Sequence, residues 1–465
     1  MPPALIAALA AATLATLPSL GGPYQFDDWA TVATDPGFAH LADWWSGLAT
    51  HVRPALKASF VATTALGEAL GSPILGHRLG NLAIHLAAVV ALWHLSCRLA
   101  ERWLPQAAAQ RARATAAWAA ALLAVHPLAS EAVGYPIARS VSLPTLATAL
   151  AAIALLRAAR ARSTGTRIAF GLATGAAAAI AVGSREAAIV ALAVCAGVAA
   201  TLDGPTRALA RRHAALVATT ALALGLAAAL ALALHPRYGG LAAMSLRILE
   251  ARAGDGSFAA ALGWHGCVLL LRCYPSVDPL PPEAGPGASL AVAAALLALG
   301  LTLVALHRTQ GPRPLALLWF AWAVAWLAPA VALPLRHDVV SDRHAYPALF
   351  SVGWAFGAGI EALRARVGDA GRGRAVRAIG AAAVALAAAV FALRMPDWRS
   401  EVALWEAADR GGPDRPRVLN NLGVAYLEAG RWDDARRVLE RALVLAPDDE
   451  RVQWNVERAR RGSRH

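Results

Sequence analysis

ALIAALAAATLATLPSLGGPYQFDDW, residues 4–29, sets an uncharged apolar run directly before two adjacent acids. As a helix, the run 4–20 is long enough to cross about 30 Å of hydrocarbon. Gln25-Phe26-Asp27-Asp28-Trp29 then falls at a bilayer surface. Two carboxylates there are ordinary if solvated. If a protein cavity closes over them, one fixed beside an incoming hydroxyl can act as a general base.

The same kind of run recurs along the chain. The 465 residues are 58% apolar, with mean hydropathy +0.48. Spans are expected at about 4–20, 79–97, 114–128, 141–156, 168–182, 187–201, 214–234, 288–306, 315–335, 344–363 and 376–393, about eleven in all. They are long and non-alternating, which excludes a β-barrel. The expected class is all-α: a polytopic helical membrane protein. The first run lacks a charged leader and a small-residue cleavage site, so it reads as an uncleaved span.

The formal charge is +13, almost all from arginine, with Lys57 the only lysine. A basic balance can mark nucleic-acid binding, but here the arginines cluster between apolar runs and read as topology signals. Loops 98–113, 157–167, 203–213, 307–313 and 361–377 hold 18 arginines against four acids. The short loops 126–140, 183–186 and 336–343 balance four arginines against four acids. The positive-inside rule places the first set in the cytoplasm. Asp27, Asp28 and the whole C-terminal region then face outward. Residues 258–274 carry His265 and Arg272 and are short. They read as an interfacial or re-entrant helix in an outer loop 235–287, closed by the run Pro275 to Pro286. Cys97 and Cys195 fall inside spans. Cys267 and Cys273 do not share a helix face, and no disulfide framework or zinc spacing is expected.

After residue 394 the pattern turns soluble and amphipathic. Leu422-Gly423, Tyr426, Ala435, Leu439, Ala442 and Pro447 fit the 34-residue tetratricopeptide pattern. Trp405, Ala408 and Pro413 repeat three of these positions one period earlier, and 450–461 reads as a capping helix. The expected division is a membrane domain over 1–394, with outer loops 21–77 and 235–287, and a short repeat domain over 395–465. So short an array is marginal alone and should pack on the membrane domain.

Ionisable residues gather at the outward ends. Loop 21–77 holds Asp27, Asp28, Arg53, Lys57, His77 and Arg78, with Phe26, Trp29, Trp44 and Trp45. The later ends add Glu131 and Arg139, then Arg185 and Glu186. Arg336, His337 and Asp338 lead to Asp342, Arg343, His344 and Tyr346. Taken singly, such residues snorkel; gathered at one face they mark a site. No phosphate-binding P-loop, dinucleotide fingerprint or nucleophile elbow is present. His51, His77 and His85 make no metal spacing with acids, and His85 reads as a hydrogen bonder between helices. No cofactor is required; Asp27-Asp28 offers an incomplete ligand set for a divalent metal. A membrane cavity with acids and arginines suits an activated donor that arrives in the lipid, such as a polyprenyl phosphate sugar. Arginine would hold its phosphate and stabilise the leaving charge.

These segments resemble the GT-C superfamily of membrane glycosyltransferases, and more closely the transmembrane and tetratricopeptide-repeat O-mannosyltransferases and their bacterial relatives. The resemblance is carried by FDDW at 26–29, RPALKASF at 53–60, GHRLGNLAIH at 76–85 and HPLASEAVGYPIARS at 126–140. GSREAA at 183–188, YPSVDPLP at 274–281, SDRHAYPAL at 341–349 and the repeats complete it. It implies a GT-C fold and inverting transfer of mannose or another hexose from polyprenyl phosphate to a hydroxyl, such as Ser or Thr of a protein held by the repeats. It implies a catalytic acid in the first outer loop, with Asp28 as base and Asp27 orienting it or the acceptor. Arg139, Arg185, Arg343 and Arg53 are the expected phosphate binders. Glu131, Glu186, His77, Arg78 and Asp342 are further site candidates. Arg185-Glu186 stands where the family has Lys-Glu, and the family's Arg-Tyr is replaced by Arg343-His344 with the tyrosine at 346. Other readings are a same-fold enzyme modifying a lipid or envelope polysaccharide, and a non-enzymatic scaffold. A transporter is disfavoured because the charges crowd one face, not the midplane.

Overall fold

In hydrocarbon every backbone N–H and C=O needs a partner within the protein, and a helix supplies these within one segment. The computed structural model describes residues 1–201, 247, 257–270, 275–279, 313–332, 341–367, 369–412 and 414–462. Among them the secondary structure is helical, with no strand. The expected spans 214–234 and 288–306, the loop 203–213, nearly all of 307–313 and most of 235–287 lie outside the described residues, as do Arg272, Cys273, Arg336, His337 and Asp338.

The first membrane-domain helices are α1 (Pro3–Thr16), α2 (Leu41–Ser46), α3 (Pro54–Ala69), α4 (Pro73–Trp103), α5 (Gln106–Val125) and α6 (Ala129–Gly134). Then come α7 (Arg139–Arg160), α8 (Thr164–Ser184), α9 (Ala188–Thr201), α10 (Ser257–Leu269), α11 (Arg313–Ala332), α12 (Leu349–Arg366) and α13 (Ala370–Arg394). Among the described residues four helical stretches are long and apolar enough to cross a membrane: Pro73–Trp103, Pro136–Arg160, Thr164–Ser184 and Ala370–Arg399. Pro3–Ser19 and Leu315–Pro329 are shorter and apolar. Small residues allow close approach in the bundle. A Cβ on Gly353 or Gly357 of α12 would stand 2.8 Å from the Ala119 carbonyl or 2.6 Å from that of Thr115 in α5. α10, at 13 residues, is about 20 Å long, too short to cross.

The helices alternate in direction. α1, α5, α8 and α13 therefore end, and α4, α7 and α12 begin, at the end of the bundle that carries Asp27, Glu131, Arg185 and Arg343. The arginine-rich loops 98–113, 157–167 and 361–377 lie at the other end. Loop 21–77 is not irregular throughout. Pro54 sits in the first turn of α3, where its missing N–H is no loss. The Lys57 ammonium is buried against the Asp35 carboxylate at 2.6 Å and the His51 ring nitrogen at 3.1 Å, which pins the loop onto α3.

Residues after 394 form a second set of helices at the acid-bearing end: α14 (Glu401–Gly411), α15 (Pro416–Glu428), α16 (Trp432–Leu445) and α17 (Glu450–Gly462). α15 and α16 close to the point where a Cβ on Gly423 would meet the Leu439 side chain at 2.4 Å. This array does pack on the membrane domain. Trp398 is fully buried, its ring stacked on Tyr135 at 5.6 Å, and Arg415 donates to the Asp278 carbonyl.

One expectation is overturned. Cys267 is in a disulfide. The argument from helical spacing does not apply, because α10 ends at Leu269, two residues after Cys267. Cys97 and Cys195 are buried free thiols, as their place in spans suggests.

Candidate active site

Two neighbouring carboxylates on one loop take opposite roles. The Asp28 side chain is 0% exposed. Its Oδ1 accepts from the Ile137 N–H at 2.9 Å and its Oδ2 from the Gln25 N–H at 3.2 Å. It bolts the loop to the start of α7. Asp27 instead keeps 19% of its side chain exposed and meets Arg343 at 3.4 Å. Its backbone N–H donates to the Tyr135 hydroxyl at 3.0 Å. The resemblance favours Asp28 as the base; the geometry places Asp28 in the framework and turns Asp27 toward Arg343, in a partly exposed space, the vestibule.

The late acid-arginine pair repeats this division. Asp342 is buried, accepting from the Trp264 indole N–H and the Ser276 N–H, each at 2.6 Å. It ties α10 and the segment after it to the turn before α12. Arg343, next in sequence, points inward with 11% of its side chain exposed. Its guanidinium lies 3.8 Å from Glu131 and 5.5 Å from the Tyr135 ring centre. Asp27, Glu131, Tyr135 and Arg343 thus share one small space.

Arg185 stands near this space. The charges of Arg53, Glu186 and Arg343 all act on it, and burial with the nearby cations holds it down to about 9. Among the described residues its guanidinium makes no hydrogen bond or ion pair. Arg53 and Glu186 form a two-pronged pair at 3.0 and 3.2 Å on the rim. His344 is also close to Arg185, Arg343, His265 and Arg53, and burial with these charges keeps it neutral.

Three other sequence candidates belong to the scaffold. Arg139 is fully buried and bonded at all three nitrogens. Nε donates to Asn81 at 2.7 Å, Nη1 to the Ser59 carbonyl and Thr63, and Nη2 to the His77 carbonyl at 2.8 Å. It lies over the Phe60 ring at 4.0 Å, so it locks α3, α4 and α7 together and is not free to hold a phosphate. Arg78, also fully buried, donates to the Ser19 and Pro23 carbonyls and fixes the exit from α1. His77 faces inward against Thr63 at 2.9 Å. His85 bonds Tyr346 at 2.8 Å and the Ala124 carbonyl at 3.1 Å, so the displaced tyrosine lies inside the bundle. Among the described residues no three His, Cys, Asp or Glu side chains are grouped to hold a metal ion.

The repeat helices supply what the sequence reading missed. Phe26 has φ +49°, a left-handed conformation uncommon for an aromatic residue. Its N–H donates to Glu401 at 2.8 Å. Trp405, one turn along α14, donates its indole N–H to the same carboxylate at 2.9 Å and meets the Phe26 ring edge-on at 5.2 Å. Glu401 and Trp405 are four apart, hence on one helix face. That spacing was the available signal. This grip sets the backbone twist that turns Asp27 one way and Asp28 the other.

Burial pushes the carboxyls of Asp28 and Glu131 up to about 8 each, and that of Asp342 to about 6. Glu131 is then neutral at pH 7, which leaves Asp27 to face the Arg343 charge. An unfolded carboxyl ionises near 4. For these carboxyls the folded chain holds more protons than the unfolded one between about 4 and 8. Buried His126, His265 and His344, held below the usual histidine range, act the other way below about 6.5. The net fall in stability with rising pH therefore lies above about 7, and the melting temperature is expected to drop from about pH 7 to about pH 9. Glu131→Gln, which cannot ionise, should show a shallower fall; an unchanged slope means that Glu131 is already charged at pH 7.

Residues 416–449 match the family model of the tetratricopeptide repeat. No curated protein and no solved structure matches the chain.

Proposed function

We propose that this chain is a GT-C-type glycosyltransferase that moves a hexose from polyprenyl phosphate to a hydroxyl acceptor with inversion. The observation that carries this is the meeting of Asp27 and Arg343 at 3.4 Å from opposite ends of the membrane domain, beside a guanidinium, Arg185, without a protein partner among the described residues. The acceptor oxygen attacks the anomeric carbon while its proton passes to Asp27. The bond from that carbon to the phosphate oxygen breaks, and polyprenyl phosphate departs with one more negative charge than the donor carried. Arg185 and Arg343 face that charge. As Asp27 becomes neutral, Arg343 loses its carboxylate partner just as the phosphate gains charge, so one guanidinium serves both ends of the step.

The outward placement of this vestibule is part of the proposal. The arginine-rich loops at the opposite end support it. So does the disulfide at Cys267, a bond that persists in oxidising compartments.

The direct test is reconstitution of the full chain in vesicles with synthetic polyprenyl phosphate mannose and a Ser/Thr-rich peptide. Release of polyprenyl phosphate coupled to a glycosylated peptide is expected. Release that depends on a lipid or polysaccharide acceptor instead would keep the reaction and change its substrate. No release with any hexosyl donor would end the proposal.

Glu401 acts here as a positioning residue. Glu401→Ala is expected to lower kcat by about 10- to 100-fold, the effect of a misplaced reacting group, with little change in donor KM. Glu401→Gln keeps one accepting oxygen for the Phe26 N–H but turns its NH₂ toward the Trp405 indole N–H, so partial recovery of kcat is expected. Equal losses in the two variants would show that the charge, not the backbone contact, matters.

A further inference from the structure

At the end of the bundle opposite the acids, α4, α7 and α8 enclose a cavity of about 260 Å³. Arg98 and Arg102 reach it from the last turns of α4, Arg157 and Arg160 from the last turn of α7, and Thr166 and Phe170 from the start of α8. Snorkelling explains why arginines end a span, but it would fan them outward. Here four guanidinium groups converge on one space, against mutual repulsion.

At Arg98, Arg157 and Arg160, neutralisation by the described residues is slight. Glu101 lies 3.6 Å from Arg98 and also serves Arg113 at 3.1 Å. Arg157 and Arg160 pair with no carboxylate among the described residues; Arg157 lies over the Phe170 ring at 5.7 Å. The other described residues of the lining include the apolar Ile153 and Leu156. Beside them α8 exposes Ile168 and Leu172. The cavity is smaller than the roughly 300–1,000 Å³ that encloses a whole small-molecule substrate. It is of a size for a compact anionic group whose remainder lies outside.

Its depth selects the source. From Arg139 to Arg160, α7 rises about 31 Å, close to the thickness of the hydrocarbon core. In a bilayer crossed by α7 the cavity would then be level with the lipid phosphates of the leaflet opposite the vestibule, with the exposed Ile168 and Leu172 beside it facing acyl chains. We propose that it is a binding site for the phosphate head group of an anionic lipid. The site stands independently of the reaction proposed above.

The test titrates the full chain in detergent with dioleoyl phosphatidylglycerol or dioleoyl phosphatidylcholine, read by native mass spectrometry. Wild type is expected to retain the anionic lipid about tenfold more tightly than the zwitterionic one. Arg157→Gln/Arg160→Gln should abolish that preference. Arg157→Lys/Arg160→Lys should keep it to within about threefold, since charge remains where the planar fork is lost. Arg372→Gln/Arg374→Gln, two arginines of the same end outside the cavity, should leave it unchanged. Equal retention of both lipids by wild type, undiminished preference in the glutamine pair, or equal loss in the control pair would overturn the site. Displacement of the lipid by excess inorganic phosphate would assign the cavity to a free anion and overturn the lipid assignment.

Discussion

Asp27→Asn is expected to lower sugar transfer by about 10²- to 10⁴-fold, the usual contribution of a general base. Donor KM should move little, because the carboxylate acts on the acceptor's proton and not on the carrier. The side chain is close to isosteric, and its 3.4 Å contact with Arg343 changes character. Asp28→Asn is a different experiment. That residue is fully buried and receives two backbone N–H groups. An amide can accept through its oxygen from only one of them, and its NH₂ would face the other donor. The predicted signature is loss of thermal stability, with activity falling in proportion to folded protein. Measuring melting temperature and kcat on both variants separates the roles. If Asp28→Asn folds normally and is inert while Asp27→Asn is active, the two assignments must be exchanged.

The second large effect is at Arg343. Arg343→Gln should reduce kcat by about 10²- to 10³-fold, as loss of one preorganised donor to a developing charge does. Unlike Asp27→Asn, it should also weaken donor binding, because in the proposed reaction Arg343 faces the phosphate before as well as during transfer. Arg343→Lys restores the charge but not the fork that reaches Asp27 and Glu131 together, so partial recovery is expected. The Asp27→Asn/Arg343→Gln double variant should be little worse than the poorer single one, since the two side chains act as a unit. Additive losses would mean that they work separately.

The helices were legible because long uncharged runs leave few alternatives in hydrocarbon. Nine of the expected runs coincide with described helices, and the soluble repeat pattern coincides with α15 and α16. α3 was passed over inside a loop, although Pro54 was a usable start signal. The gathering of Asp27, Glu131, Arg185 and Arg343 at one end was readable from topology alone. Which member of each adjacent pair faces the vestibule was not. For Asp27 and Asp28 it turns on a left-handed Phe26, and that conformation depends on Glu401, 375 residues away. Arg139 looked like a site residue because span-end arginines often are. Asn81, a polar side chain within an apolar helix, was the sign that a buried cation had a partner inside.

Mass spectrometry of lipid carried by the purified full chain, wild type against Asp27→Asn, bears most directly on the vestibule as the place where a lipid-borne sugar is gripped and released. The expected result is intact hexosyl polyprenyl phosphate on both proteins, cleared from wild type when a hydroxyl acceptor is added and retained by Asp27→Asn. Clearance from both at the same rate, or no sugar-bearing polyprenyl phosphate on either after loading, would contradict it.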